Sequence, residues 1–442
     1  MKSISRLVSL IALTAVLAFN SAAQSSTGSI SGTVSDERQA VVPGATVSIK
    51  NTLTGFTRAM TSDSEGRYRF TAVPIGSYEV TVEAANFAKL VQTGITLAVN
   101  QDAVVNQSLR AGGVAEVVTV TENASVLNTT TAEVSTRFDE RRLSELPIAP
   151  NRNVFNVLLS TPGVSQLGAG QTGFANGISF SSNGGRLRSN NFMLDGQDIN
   201  DPSVSGGQVA LNNPDAIGEV RIITNQFLAE YGRNSGSVVN FIGKSGTNDF
   251  HGTGFVFYNG EELNACSNTD RIAGFCNPAS TNPTRQIAPF RKEFQYGFSI
   301  GGPFLNFGEG VPTLARDKTF FFWDYQKWTD RQLASGSAIS GAPTAAGRAV
   351  LQSIAAGRPQ VQALLTYLPE GVANGTSTTF SLGGVPFTVP LGTFAGSSAF
   401  RFDSTQTSVR IDHRLNDRHL MYGRYRYDGN ASAGGGQVSP PD

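Results

Sequence analysis

From His251 onward the chain alternates aromatic and polar residues over runs long enough to cross a membrane. In EFQYGFSIG, Phe294, Tyr296, Phe298 and Ile300 fall on one face of a strand, and Glu293, Gln295, Gly297 and Ser299 on the other. Period-two alternation marks a strand that separates two environments. The pattern recurs in KTFFFWDYQKW, where Asp324 and Gln326 oppose Phe321, Trp323 and Tyr325. In QTSVRIDHRL, Arg410, Asp412 and Arg414 oppose Val409 and Ile411. In RHLMYGRYRYDG, Arg424, Arg426 and Asp428 oppose Met421, Tyr425 and Tyr427. With FHGTGFVFYNG these make about five strands, near the ~9–11 residues that a membrane-crossing strand needs.

The aromatic face could meet a protein core or lipid, and the connections favour lipid. A long polar segment holding Cys266 and Cys276 joins the first strand to the second. A shorter one, NFGEGVPTLARD, leads to the third. A very long insertion, from Arg331 to near Phe400, leads to the fourth, and NDR makes the last turn. Outer-membrane barrels alternate long external loops with short periplasmic turns in this way. An arginine at the lipid midplane costs roughly 2–4 kcal/mol, so the charged face is expected to line a wet lumen.

The N-terminus supports export. Lys2 and Arg6 precede the apolar run Leu7 to Phe19, and NSAAQ offers small residues for cleavage after Ala23. No later run is long enough for a transmembrane helix, so any crossing is expected to be by strands. In an oxidising space Cys266 and Cys276 are expected to form a loop disulfide. Lys+Arg and Asp+Glu balance at 34 each, which gives no pull toward nucleic acid. Only 15% of residues are charged while Gly reaches 48, a composition suited to turn-rich β structure rather than a helical enzyme.

Between Gly28 and Arg110 short strands alternate with turns: GSISGTVSD, GATVSIKN, GFTRAMTSD, GRYRF, GSYEVTVEAANF, KLVQTGITLAV and AVVNQSL. Tyr68 and Phe70 alternate with Arg67 and Arg69, and Tyr78, Val80 and Val82 with Glu79 and Thr81. Each strand has one apolar face, as two packed sheets require. SGTVSD, VPGATVSI, TSDSEGRYRF and PIGSYEVTVEAANF resemble the carboxypeptidase regulatory-like domain, a transthyretin-like or Ig-like β-sandwich. That resemblance implies no peptidase here, because the zinc ligands of the enzymes belong to a separate unit that has no counterpart in this chain.

Gly112-Gly113 reads as a hinge, and EVVTV (Glu116 to Val120) follows as a short β-prone segment that could add one more strand to the sandwich. From Thr129 to Gly246 helix and strand signals mix. Val154, Val157 and Leu158 have helical spacing, ended by Pro162-Gly163. RSNNFMLDGQDIND reads as a strand entering an Asp-Gly turn. PDAI starts a short helix, and strands are expected over Glu219–Thr224 and Gly236–Gly243. This is a compact α/β unit with Gly-rich loops.

LPIAPNRNVFNVLLSTPGV, SNGGRLRSNNFMLDGQDIND, IGEVRIITNQFLAEYGRNSGSVVNFIGKSGTNDFHGTGFVFYNGEELNA, FQYGFSIGGPF and DKTFFFWDYQKW resemble TonB-dependent outer-membrane receptors of the Oar-like group, in the family's order. The resemblance implies a mainly β protein: a sandwich, an α/β plug domain, and the first strands of an antiparallel transmembrane β-barrel of roughly 22 strands. The expected layout is a signal peptide at 1–23, the sandwich at 24–112, a TonB box and plug at 113–247, and a partial barrel at 248–442. The chain stops at GQVSPPD without a terminal aromatic strand, so a fragment of a longer protein is expected.

The resemblance also makes Glu116, Val117, Val118, Thr119 and Val120 the candidate TonB box, a segment that grips its periplasmic partner by strand addition. Arg186, Arg188 and Asp195 are candidates for the plug's ligand side. Their alternative roles are turn chemistry for Asp195 and contacts with the barrel wall for the arginines. The implied function is energy-coupled uptake, with TonB, outer-membrane lipid and a solute as partners. The solute classes are a carbohydrate, a peptide or a metal chelate. The implied location is the outer membrane, with the sandwich in the periplasm. The alternatives are a surface binding or adhesion protein that does not transport, and a soluble secreted β-protein.

No enzyme, cofactor or metal site is expected. GAGQTG (Gly168 to Gly173) lacks the following helix that a dinucleotide site needs. GKSGT has Val238 where the first glycine of a phosphate loop belongs. His251, His413 and His419 are scattered along strands with no carboxylate constellation.

Overall fold

The computed structural model describes the chain from Thr27 to Ala433, apart from 113–116, 122–131, 147–151, 168–179, 201–212, 229–230, 233, 267, 269–270, 272–275, 280–289, 307–312, 336–338, 395–396 and 417–418. The expected signal sequence, Glu116 and GAGQTG lie outside the described residues.

The N-terminal strands are β1 (Thr27–Asp36), β2 (Thr46–Asn51), β3 (Thr57–Thr61), β4 (Arg67–Pro74), β5 (Gly76–Glu83), β6 (Lys89–Leu97), β7 (Asp102–Val104), β8 (Gln107–Leu109) and β9 (Val117–Thr121). They form two sheets. One has the order β4-β1-β7, with β8 also on β1; the other runs β3-β2-β5-β6-β9. Alternation sets the faces. Tyr68 and Phe70 are buried while Arg67 and Arg69 are exposed, and Ile30, Val47, Ile49, Tyr78, Val80 and Ile95 share the core. The Tyr78 hydroxyl donates to the Pro74 carbonyl at 2.7 Å, and burial pushes its pKa up. The sequence AVVNQSL breaks into two short strands, because β7 and β8 pair with successive parts of β1.

The next section holds β10 (Val134–Asp139), α1 (Glu140–Glu145), β11 (Val164–Gln166), β12 (Phe180–Ser182), β13 (Asn191–Leu194), β14 (Gln197–Asp198), β15 (Ile217–Asn225) and β16 (Val238–Gly243). Its main sheet has the order β10-β15-β16-β13-β14, with β13 parallel to β16. Val154–Ser160 is helical as its spacing predicts, but as a 3-10 helix rather than an α-helix. Asn153 caps it by accepting from the Phe155 N–H. Phe155 packs edge-on to Phe192 and Phe241, with centroids 5.5 and 4.7 Å away, so the helix is held by core rings more than by its length.

The remaining strands are β17 (His251–Gly260), β18 (Arg291–Pro303), β19 (Leu305–Asn306), β20 (Thr313–Leu314), β21 (Thr319–Ser335), β22 (Ile339–Pro343), β23 (Val372–Leu382), β24 (Val385–Phe394), β25 (Ser397–Asn416) and β26 (His419–Ala433). The large sheet has the order β17-β18-β21-β25-β26, so its strands lie side by side in chain order. The Phe294 carbonyl meets the Thr329 hydroxyl at 3.4 Å, and the Gly297 backbone lies against Tyr325. Residue numbers thus rise on one strand as they fall on the next, which makes the pair antiparallel. The strands exceed the expected length: β21 has 17 residues and β25 has 20. The long insertion is folded, as the three-stranded sheet β22-β24-β23 with α2 (Ala345–Ser353) and α3 (Pro359–Tyr367).

The chain divides into two compact units. One holds the sandwich, the central α/β sheet and the segments Phe298–Asp324 and Thr407–Arg426. The other holds Gly254–Gly297, Tyr325–Gln406 and the chain from Tyr427.

Burial along β18 is inverted relative to a protein in water. Phe294, Tyr296 and Ile300 are 40%, 37% and 38% exposed, while Glu293, Gln295 and Ser299 are 4%, 1% and 4% exposed. β26 repeats this, with Met421, Tyr425 and Tyr427 exposed. The rings meet one another across the outer face: Phe298 stands edge-on to Trp323 at 4.8 Å. Rows of exposed rings over buried carboxylates and amides suit lipid outside and a polar interior. The inner face is not wholly polar, because Phe320, Phe322 and Trp328 share it with Asp324 and Gln326.

The inversion is testable at Tyr296. In the full-length protein folded into bilayers, Tyr296→Arg should cost up to about 2–4 kcal/mol in denaturant unfolding. A change within about 0.5 kcal/mol, usual for a water-exposed site, would place that ring in water.

Candidate functional site

The Asp-Gly turn after β13 sets the first part of the site. Asp195 has φ +52° and Gly196 has φ +83°, as a tight hairpin between β13 and β14 requires. The turn aims the Asp195 carboxylate at the end of β16, where Oδ1 accepts from the Gly243 N–H at 2.9 Å. The same oxygen accepts from Arg410 Nη1 at 3.2 Å, and Arg424 Nε lies 2.8 Å from Oδ2. The second contact is ionic rather than a hydrogen bond, because its atoms lack hydrogen-bond geometry. Arg410 also grips Asp412 with a fork at 2.8–3.0 Å and lies over the Tyr422 ring at 4.6 Å. The Tyr422 hydroxyl donates to the Asp195 carbonyl at 3.1 Å.

Two arginines and two aspartates therefore form a neutral, largely buried cluster that ties the central sheet to β25 and β26. Asp195, expected as either ligand-facing or a turn residue, is 2% exposed and committed to turn and wall. Arg186 precedes the 3-10 turn Leu187–Ser189 and Arg188 lies within it, and both side chains are exposed. Among the described residues neither makes an ion pair, and the arginines that meet Asp195 from β25 and β26 are Arg410 and Arg424.

A close approach of backbones seats the same sheet. A Cβ on Gly246 would collide with the backbones of Phe321 and Gly302, so only glycine fits there. A second clasp joins the sandwich to the central sheet. Arg221 Nη1 donates to the Val99 carbonyl at 2.7 Å while Nη2 pairs with Glu133 at 2.7 Å. Beside it Glu219 is 5% exposed, and burial raises its pKa despite Arg137 and Arg221.

The segment expected to bind TonB forms β9. It runs parallel to β6, with Lys89 opposite Val117 and Thr93 opposite Thr121. It is thus one more strand of the sandwich, at the outer edge of that sheet.

In the second unit, Trp328 Nε1 donates to Glu293 at 2.9 Å, and Trp328 packs on Phe402 with centroids 5.0 Å apart. Arg331 pairs with Asp403 at 2.8 Å. Cys266 and Cys276 are bonded to each other. No group of ligating side chains suited to a metal occurs among the described residues.

Two outcomes follow. Asp195→Ala removes the partner of two buried arginines and should destabilise the seating of the sheet by about 3–5 kcal/mol, read by hydrogen exchange of β13 and β16 amides in the full-length protein. Glu219 binds its proton more tightly folded than unfolded, so its contribution to stability falls as pH rises above its ordinary 4.5. Glu219→Gln should remove that fall, measured as β15 amide protection between about pH 4.5 and 8 after correction for intrinsic exchange.

Residues 29–110 match the carboxypeptidase regulatory-like domain, 127–239 the TonB-dependent receptor plug domain, and 242–442 an outer membrane beta barrel domain. The chain is 26% identical over 314 residues to the TonB-dependent transporter Oar of Myxococcus xanthus, covering 71% of this chain and 28% of that protein. The chain thus spans about a quarter of that relative's length. A mutant ferric enterobactin receptor from Pseudomonas aeruginosa, solved with enterobactin, aligns at TM-score 0.36 and 14% identity over 69% of this chain and 34% of its own. An outer membrane transporter from Escherichia coli aligns at TM-score 0.35 and 13% identity over 64% and 37%. The three matched domains in this order, with strands that turn rings outward and carboxylates inward, identify the chain as an outer-membrane member of the TonB-dependent receptors, a family of transporters and receptors rather than enzymes.

Proposed function

We propose that this chain is the N-terminal part of an energy-coupled importer that takes up a scarce solute through a plugged barrel. The sandwich occupies 24–112, the coupling segment and plug 113–247, and the first barrel strands 248–442. Glu116, Val117, Val118, Thr119 and Val120 engage TonB by strand addition, and the pull passes along the chain to the plug at β10. Arg186 and Arg188, exposed on a turn of the plug, face the solute. A carbohydrate, a peptide or a metal chelate fits that role, and uptake involves no covalent chemistry on it.

The observation that carries this reading is β9 itself. Directly upstream of the plug, Val117–Thr121 is already extended and already paired through its main chain with a sheet edge. Strand addition asks for that property and little else. A receptor that binds without transporting is the second reading. It is favoured by the folded insertion Ile339–Phe394, whose strand β23 exposes most of its length.

Proline separates the two. Successive N–H groups of a strand point to opposite edges, so Pro at Val118 and at Thr119 tests both edges in turn. In the full-length receptor, Val118→Pro or Thr119→Pro should weaken binding of the purified periplasmic domain of TonB at least about tenfold, about 1.4 kcal/mol. Binding unchanged by both replacements would count against coupling through this segment.

A further inference from the structure

We infer that the sandwich is a holding site for the coupling strand: β9 is stored on β6 and must leave that edge before TonB can pull on the plug. The inference rests on the reading of Val117–Thr121 as the coupling segment.

The two edges of the five-stranded sheet are built differently. β3 closes one edge with only five residues, and Arg58 on it reaches across to the Thr71 carbonyl at 2.8 Å. A short strand carrying a charge is a usual way to blunt an edge. β6 is nine residues long, KLVQTGITL, and its side chains alternate between core and outside over most of that length. Left uncovered, it would be a long edge open to any extended chain. β9 covers Lys89 to Thr93 in a continuous five-residue register, Lys89–Val117 through Thr93–Thr121. The pairing is parallel, so it is reached only by a crossover through β7 and β8 and is not a hairpin accident of neighbouring segments.

The position of β9 makes this contact a switch. The sandwich lies before it in the chain, and the plug begins after it at β10. The sandwich is itself clasped to the plug sheet through Arg221 and the Val99 carbonyl. A pull applied to a docked β9 is borne by β6 and the sandwich core. A pull applied to a released β9 runs along the chain into β10. Release must therefore precede transmission, and TonB competes with β6 for the same main-chain groups. While β9 is stored, the fraction of receptor ready for TonB is reduced, and the apparent affinity is reduced by the same factor.

The register supplies the test. Val91 lies opposite Thr119; Thr119 is exposed and Val91 half-buried. Neighbouring strands stand about 4.7–4.9 Å apart, within the span of a disulfide. Val91→Cys with Thr119→Cys in the full-length receptor should cross-link on mild oxidation, identified by peptide mapping beside the native Cys266–Cys276 bond. The oxidised protein should bind the purified periplasmic domain of TonB at least about tenfold more weakly than the same sample after reduction. Reversal by reductant in one preparation separates a trapped strand from a misfolded one. Failure to cross-link in a folded receptor overturns the stored strand. Equal binding in both forms overturns the competition. If Val118→Pro or Thr119→Pro still weakens binding, the coupling reading survives that result; if both are silent, it fails as well.

Discussion

The structure depends on where its backbone hydrogen bonds go when one side of a strand meets lipid. Water cannot satisfy N–H and C=O groups there, so each strand must be paired along its length. The sheet β17-β18-β21-β25-β26 does this in sequence order, which leaves the side chains free to differ on its two faces. Outward, Phe294, Tyr296 and Tyr425 present rings that lipid can meet. Inward, Glu293, Asp324 and Arg410 need partners and have them: Trp328, Ser408 and Asp412. The inversion of burial follows from pairing first and solvent second.

Much of this was legible because two solvents act on one strand with a period of two. The charges alone set the direction of each face, and the burial of β18 and β26 follows the parity read from EFQYGFSIG and RHLMYGRYRYDG. The sandwich was legible for a similar reason, since its core positions alternate with charged ones. Other features left weaker marks. Val154, Val157 and Leu158 have a spacing that α and 3-10 helices both satisfy over seven residues, so the type was decided by packing on Phe192 and Phe241. Phe320, Phe322 and Trp328 face inward because they share parity with Asp324, a consequence the parity rule already contained.

The site was legible in its parts and not in its assembly. The Asp-Gly dipeptide announced a turn, but Asp195 and Arg410 are 215 residues apart, and nothing local in either stretch points to the other. Parity showed only that Arg410 and Arg424 face inward; which carboxylate meets them depends on how the central sheet lies against β25 and β26. That EVVTV could add a strand to the sandwich was legible, but its parallel pairing with β6 was not. Main-chain pairing places few demands on side chains, so EVVTV reads alike whether it lies on the sandwich or on a partner.

These contacts differ in strength. β9 is held through the main chain over five residues, and each net hydrogen bond contributes about 0.5–1.5 kcal/mol. The plug is held to the wall by a neutral cluster in which removal of one charge costs about 3–5 kcal/mol, and behind it lies a core of Phe155, Phe180, Phe192 and Phe241. Bonds in a short strand can also be broken one at a time from an end, whereas Asp195 is held jointly by Gly243, Arg410 and Arg424. The edge strand is therefore the weaker of the two attachments, and the Asp195 cluster the stronger.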